Sequence, residues 1–217
     1  MSSSARRAGR DVALADPSRA SSPRAASDRA VSDVDLETIR ARLRDVDPRS
    51  EPSPRAAVAA VLREHAGRPE VLFIQRAEHP DDPWSGHMAF PGGRLDPTDD
   101  SLERTAVRET HEELGLDLRA HGRLVGRLDD VPTHKTGLVV RPFVWTLERL
   151  PVLTPNHEVA EVCWVDLPSL MSGERDTGYD LDWKGSRHRF PGYAVGDRVV
   201  WGLTYRMLQI FFEVLRG

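Results

Sequence analysis

One stretch constrains this chain more than any other: AFPGGRLDPTDDSLERTAVRETHEELGL, residues 89–116. Its second half has helical periodicity. Ser101 can cap the N terminus of that helix, and Asp99 and Asp100 sit favourably beside its positive end. Gly115 stands where a left-handed C-terminal cap is wanted. Leu102, Ala106 and Leu114 form an apolar stripe, so this helix has a core face. Glu109, Glu112 and Glu113 follow at i, i+3 and i+4, on a shared face. Three like charges crowded there cost stability unless a cation neutralises them. Hard carboxylate oxygens suit Mg²⁺ or Mn²⁺ rather than zinc. Arg108 reaches Glu112 one helical turn on and can hold that carboxylate in place. Ahead of the helix, Pro91-Gly92-Gly93 lets the backbone turn sharply and approach a ligand with no side chain in the way. Loop carbonyls and glutamates together can hold a metal, while free amides face phosphate oxygens. The ordinary alternative is a solvated acidic helix behind a loop.

The remainder of the 217 residues reads as one domain with appendages. Residues 1–33 are Ala, Ser, Arg, Asp and Pro with almost nothing large and apolar, so they are expected to be a disordered tail. Residues 34–54 are expected to be a helix (36–46, stopped by Asp47-Pro48) and a linker, and 55–217 the globular domain. Strands are expected at 56–64, 70–77, 122–131, 136–147 and 158–167, and a helix at 101–114. A short helix at 167–173, a hairpin at 187–202 and a C-terminal helix at 203–216 complete the pattern. Strands with helices between and after them predict an α/β or α+β domain with layers on both faces of the sheet. A net charge of −4 argues against a nucleic-acid partner. No apolar run is long enough to span a membrane. The only cysteine, Cys163, excludes an internal disulfide and reads as a buried structural thiol. An acid-containing N-terminal segment without an apolar core is neither transit peptide nor secretory signal, so a cytoplasmic protein is expected. Phe211-Phe212 reads as core or as a dimer contact, and a homodimer is the one protein assembly left open.

Arg108-Glu109-Thr110-His111-Glu112-Glu113-Leu114-Gly115-Leu116 resembles the core of the Nudix box, GX5EX7REUXEEXGU, with U aliphatic. It departs in having Thr110 at one U, Asp99 in place of the first glutamate, and one extra residue between Asp99 and Arg108. FPGGRLDPTD (90–99) is similar to the variant of the coenzyme A pyrophosphatase branch. The resemblance covers roughly residues 55–216 and implies an α/β/α sandwich with a mixed central sheet. It implies a pyrophosphohydrolase in which Glu109, Glu112 and Glu113 hold a divalent metal, joined by the carbonyl of Gly93, with Arg108 orienting them. A glutamate then takes a proton from water: Glu112 within the box, or Glu158 or Glu161 outside it.

The box leaves the substrate open within the class of nucleoside diphosphate derivatives. LFIQRAEHPDDPWSGHMAFPGG (72–93) resembles the upstream motif of the coenzyme A branch in Leu72, Arg76, Gly86 and Phe90 to Gly93, and WGLTYRML (201–208) resembles its last helix. That resemblance implies coenzyme A or acyl-coenzyme A, cleaved to 3′,5′-ADP and phosphopantetheine. ADP-ribose, nucleotide sugars and dinucleoside polyphosphates are the alternatives, and a non-catalytic binding module is the alternative to an enzyme. Asp81 or Asp82 falls where the motif carries a second arginine, and an acid cannot replace an arginine at a phosphate. Arg76, Gly92, Arg94 and Lys135 are the candidate substrate contacts, with Arg104, His134 and Arg141 nearby. Trp84 reads as loop packing or a base-stacking ring, and Trp145, Trp164, Trp183 and Trp201 as packing.

Overall fold

Two strands at the centre of the main sheet are apolar on both faces, which is the pattern of a strand covered from above and below. β1 (Ala56–His65) and β2 (Arg68–Arg76) form a hairpin through Ala66-Gly67. Both turn residues lie at positive φ, as the two-residue turn matching strand twist requires. Alternate residues then separate into two cores. Ala57, Ala59 and Val61 of β1 and Leu72 and Ile74 of β2 face one way, and Ala56, Ala60, Leu62, Val71 and Phe73 the other. The computed structural model describes residues 34–78, 85–133, 137–183 and 185–217. The expectations for residues 1–33, Asp81, Asp82, Trp84, His134, Lys135 and the side chain of Trp183 lie outside the described residues.

β1 runs parallel to β7 (Val139–Leu147) and antiparallel to β2, so the sheet is mixed, as expected. β5 (Gly122–Arg127) and β6 (Val131–Pro132) pair with β7, and β8 (Val159–Asp166) pairs with β2. β1 changes partner halfway. Its second half pairs with β2, but Ala56–Val58 pairs with β4 (Gly92–Arg94), and Ala59 N–H donates to the Pro91 carbonyl at 2.9 Å. The sheet therefore opens at the Pro91-Gly92-Gly93 segment. β3 (Met88–Ala89) leads into it along the end of β2.

Helices cover both faces. α2 (Leu102–Leu114) brings Ala106, Val107 and Leu114 to the core that includes Ala57, Phe143 and Trp145. α1 (Leu36–Arg44) and α5 (Gly202–Arg216) share the opposite core, where Ile39, Leu43, Phe211 and Phe212 are almost wholly buried. The phenylalanine pair is thus core rather than a surface contact. Two short helices, α3 (Leu118–His121) and α4 (Leu167–Met171), close corners. Among the described residues no helix is long and apolar enough to cross a membrane.

Two expectations change. The strand expected over 122–131 breaks after Arg127, because Asp129 and Asp130 turn inward to hold another segment. Asp129 accepts from the Arg49 N–H at 2.8 Å, and Asp130 from the Glu51 N–H at 2.9 Å. The hairpin expected at 187–202 gains a third strand. β9 (Asp176–Trp183), β10 (Ser186–Val195) and β11 (Arg198–Trp201) form a separate antiparallel sheet. Acids and a glycine had hidden β9, whose stability comes from its eight-residue ladder with β10.

Candidate active site

The segment Pro91–Arg94 and helix α2 lock together through atoms a sequence cannot place. Gly92 has φ +148°, and a Cβ there would strike the Ala57 carbonyl of β1. Its N–H donates to Glu113 Oε2 at 3.0 Å, so this amide turns inward to a carboxylate instead of outward to a ligand. A Cβ on Gly93 would overlap the Glu109 carboxylate. The two glycines let the strand backbone lie against both acids. The caps form as expected: Arg104 N–H donates to Ser101 Oγ at 3.1 Å, and Gly115, at φ +66°, donates to the His111 carbonyl at 2.8 Å.

Arg108 is the hub. Its Nε and terminal nitrogen fork onto Asp99 at 3.1 and 2.9 Å, one terminal nitrogen donates to the Arg94 carbonyl at 3.1 Å, and the other meets Glu109 and Glu112, each at 3.0 Å. Asp99 also accepts from Thr105 Oγ1 at 2.9 Å and from the Asp96 N–H at 3.1 Å. These hydrogen bonds, Arg108 first, hold its carboxyl down at about 2, and they raise the Arg108 guanidinium above its usual range. Asp99 was absent from the candidates drawn from the sequence. Its signal was there, in the position where the box carries its first glutamate.

The three glutamates prove unequal. Glu113 is 3% exposed, and burial pushes its carboxyl up to about 8 against the pull of the Gly92 N–H; the Glu109 and Glu158 charges add to the rise, while Arg76 opposes it. Glu109 is half-buried and raised chiefly by burial, with Arg108 opposing and Glu112 and Glu158 adding. The Glu112 side chain is 53% exposed and tied to Arg108. Glu158 therefore belongs to the same electrostatic neighbourhood, and the Ala77 N–H donates to its carbonyl at 2.7 Å. Glu161 does not. It stands opposite Gln75 beside Cys163, on the other face of the sheet, and its charge helps burial push the cysteine thiol up to about 11.

Of the basic candidates, Arg76 is half-buried at the end of β2, on the face that carries Glu113. Arg94 and Arg104 are exposed. Arg141 is committed elsewhere: its guanidinium forks onto the buried Asp130 with two bonds of 2.7 Å. Trp145 is buried core, and Trp164 is half-buried with the Arg63 guanidinium 4.3 Å from its ring.

Among the described residues no three acid, histidine or cysteine side chains already converge as a finished metal cage. The donor set nevertheless fits a hard divalent cation. Two carboxylates, the half-buried Glu109 and the buried Glu113, face the glycine segment, and both resist ionisation because burial and neighbouring acids oppose further negative charge. A cation between them would remove that penalty.

The NUDIX domain family matches residues 53–184 of this chain. An uncharacterized protein of Schizosaccharomyces pombe is 43% identical over 155 residues, 67% of this chain and 47% of that protein; the chain thus spans about half its length. The mitochondrial coenzyme A diphosphatase NUDT8 of Homo sapiens is 32% identical over 164 residues, 74% of this chain and 69% of that protein. The uncharacterized Nudix hydrolase NudL of Yersinia pestis is 32% identical over 154 residues, 70% and 76% of the two chains. Enzymes of this kind use divalent metal ions, and the match places the Arg108–Glu113 helix and its glycine approach inside the family domain. By this match and these identities, the chain belongs to the Nudix hydrolase family, close to its coenzyme A pyrophosphatase branch.

Proposed function

We propose that this protein hydrolyses the diphosphate linkage of a nucleoside diphosphate derivative, with coenzyme A or an acyl-coenzyme A as the substrate and Mg²⁺ or Mn²⁺ as the cofactor. The observation that carries this reading is the pair of carboxylates, half-buried Glu109 and buried Glu113, held against Gly92-Gly93 by one arginine and one backbone amide. Glu109, Glu113 and the Gly93 carbonyl would hold the metal, with Glu112 at the exposed edge. When bound, the metal neutralises diphosphate charge and lowers the pKa of a water.

The chain's own residues do the rest. Arg108, anchored by Asp99, fixes Glu109 and Glu112 relative to one another. Arg76 lies close enough to Glu113 to influence its charge and would meet a phosphate bound beside that acid; Arg94 and Lys135 supply further positive charge. The proton acceptor is chosen between Glu112 and Glu158. The Glu112 carboxylate is occupied by Arg108, whereas Glu158 is exposed, close enough to both Glu109 and Glu113 to act on their charges, and favoured on that ground. Glu161, on the far face, is the weakest of the three.

The name of the human relative supports coenzyme A among the substrates. The test is a panel of coenzyme A, acyl-coenzyme A, ADP-ribose, nucleotide sugars and dinucleoside polyphosphates with Mg²⁺ and with Mn²⁺, products identified by mass. Cleavage of coenzyme A to 3′,5′-ADP and phosphopantetheine is expected. Turnover of another member at far higher kcat/KM would move the substrate assignment, and turnover of none would remove the catalytic reading.

A further inference from the structure

A cleft of about 380 Å³ lies between the end of β2 and the small sheet, lined in part by Gln75, His87, Met88, Tyr179, Arg198 and Trp201. Its aromatic residues form a cluster. Tyr179 and Trp201 stack with centroids 4.2 Å apart and planes 12° from parallel, and His87 stands edge-on to both, at 5.9 and 5.0 Å. Polar side chains complete the lining, among them Gln75, Arg198 and the acids Glu78 and Asp197. Gln75 brings an amide that both donates and accepts, and its Nε2 makes only a long contact, 3.4 Å, to the Gly86 carbonyl. Arg198 brings donors: its side chain is part-exposed where it lines the cleft, with one terminal nitrogen paired to Asp197 at 2.6 Å. A stacked aromatic wall, a small volume and hydrogen-bonding side chains around it describe a pocket for a planar heteroaromatic group, whose edge is polar and whose faces are flat.

The cleft adjoins the acidic site through a single strand end. Gln75 and Arg76 are successive residues of β2 and project to opposite faces, Gln75 toward the cleft and Arg76 toward Glu113. Backbone bonds fold the next turn over that end: Gly86 N–H donates to the Arg76 carbonyl and Arg76 N–H to the His87 carbonyl, both at 3.0 Å. A molecule with phosphates beside Arg76 and a ring in the cleft would straddle the end of β2.

We infer that this cleft binds the nucleobase of the substrate, an adenine, with its ring against the Tyr179–Trp201 cluster and its edge read by Gln75 and Arg198. A glutamine amide matches the N6/N7 edge of adenine with two hydrogen bonds, and arginine adds a donor for a ring nitrogen. The inference rests on the hydrolase reading only for its link to the diphosphate; binding of the base itself needs neither metal nor turnover.

The test uses the full chain without metal. Adenosine 5′-monophosphate is titrated into ¹⁵N-labelled protein while the Gln75 side-chain amide and the Trp201 indole are followed. Both signals are expected to shift and saturate together. Their failure to move overturns the inference, as does equal affinity for uridine 5′-monophosphate. Gln75→Leu and Tyr179→Leu should each weaken binding of the adenine nucleotide by at least about fivefold, the low end for loss of base stacking or edge contacts. Tyr179→Phe should restore it. In turnover the same two leucine variants should raise KM while kcat stays within about threefold, the mark of binding shared by ground and transition states. Should Tyr179→Leu fail to fold, the wild-type titration and Gln75→Leu still decide. Hydrolysis without these shifts would sink the cleft and leave the hydrolase standing. Saturable shifts in a protein that cleaves no diphosphate would do the reverse.

Discussion

Asp99 shows how a one-atom change in side-chain length is absorbed without loss of function for its partner. The family box has a glutamate here and one residue fewer before the arginine; this chain has a shorter acid and a longer approach, and the carboxylate still closes a fork on Arg108. Its side chain is 1% exposed, so the pair is screened little by solvent. Held at about 2 in the fold, its carboxyl lies below the ~3.9 of an unfolded aspartate. A depressed folded pKa contributes stability that is complete above the unfolded value and lost as pH falls toward the folded one. Melting temperatures measured from pH 5 down to 2 should therefore fall more steeply for the wild type than for Asp99→Asn, with the difference confined to about pH 4 to 2. Parallel curves would remove Asp99 from the ledger. Glu113 is the opposite case, a carboxyl whose charge the fold resists. Glu113→Gln keeps its shape and can still accept from Gly92, but it loses a charged metal donor, so kcat should fall at least ~100-fold at saturating metal. Glu109→Gln should behave alike. In metal-free buffer both variants should melt higher than the wild type, because burial and neighbouring acids no longer act against a charge. Undiminished turnover in either one would take that glutamate out of the mechanism.

Elements divide by whether their causes are local. Helix α2 was legible to within a residue, because its cap, its apolar stripe and its terminal glycine all lie inside its own sequence. The Arg108–Glu112 contact was legible for the same reason, being fixed by helical spacing. Strand β4 was not. Gly92–Arg94 has no strand propensity, and it becomes a strand only because Ala56–Val58 offers it a ladder and because alanines on β1 leave room for close approach. The break after Arg127 and the third strand of the small sheet are likewise set by distant partners, the linker backbone at Arg49 and Glu51 and the ladder of β10. The burial of Glu113 belongs here too, since helical spacing cannot say which of two adjacent acids turns under a strand. These causes make Gly92 the most demanding position of the site. Gly92→Ala places a Cβ against the Ala57 carbonyl at a φ that side chains rarely adopt, and should cost ~2–5 kcal/mol in urea unfolding. A variant as stable as the wild type would mean that β4 is held less tightly than its pairing implies.

At the scale of the molecule, the sheet separates two duties: one face carries α2 and its acids, and the other carries α1, α5 and the small sheet's partners. α1 is part of that second core, with Ile39 fully buried, whereas residues 1–33 carry almost no apolar side chains to add to it. Removing residues 1–33 should therefore leave activity and melting temperature unchanged, while Ile39→Ala should cost ~2–5 kcal/mol, the range for emptying a buried aliphatic site. A truncation that fails to fold would contradict the compositional reading of that segment. Substrate preference is also a property of the whole, because it sums contacts at the phosphates with contacts elsewhere. Asp81 or Asp82 stands where the coenzyme A motif has its second arginine. A charge-assisted hydrogen bond to the 3′-phosphate is worth ~1.5–3 kcal/mol, so its absence removes roughly a 10- to 150-fold preference for substrates bearing that group. The expected result is that coenzyme A and dephospho-coenzyme A, which differ only there, are cleaved with kcat/KM values within about tenfold of each other. A preference above ~100-fold for coenzyme A would show that another cation has taken the arginine's place. Arg94 is the first to examine, since its side chain is exposed while its carbonyl is already anchored to Arg108. Arg94→Ala should then abolish the preference and leave cleavage of dephospho-coenzyme A intact.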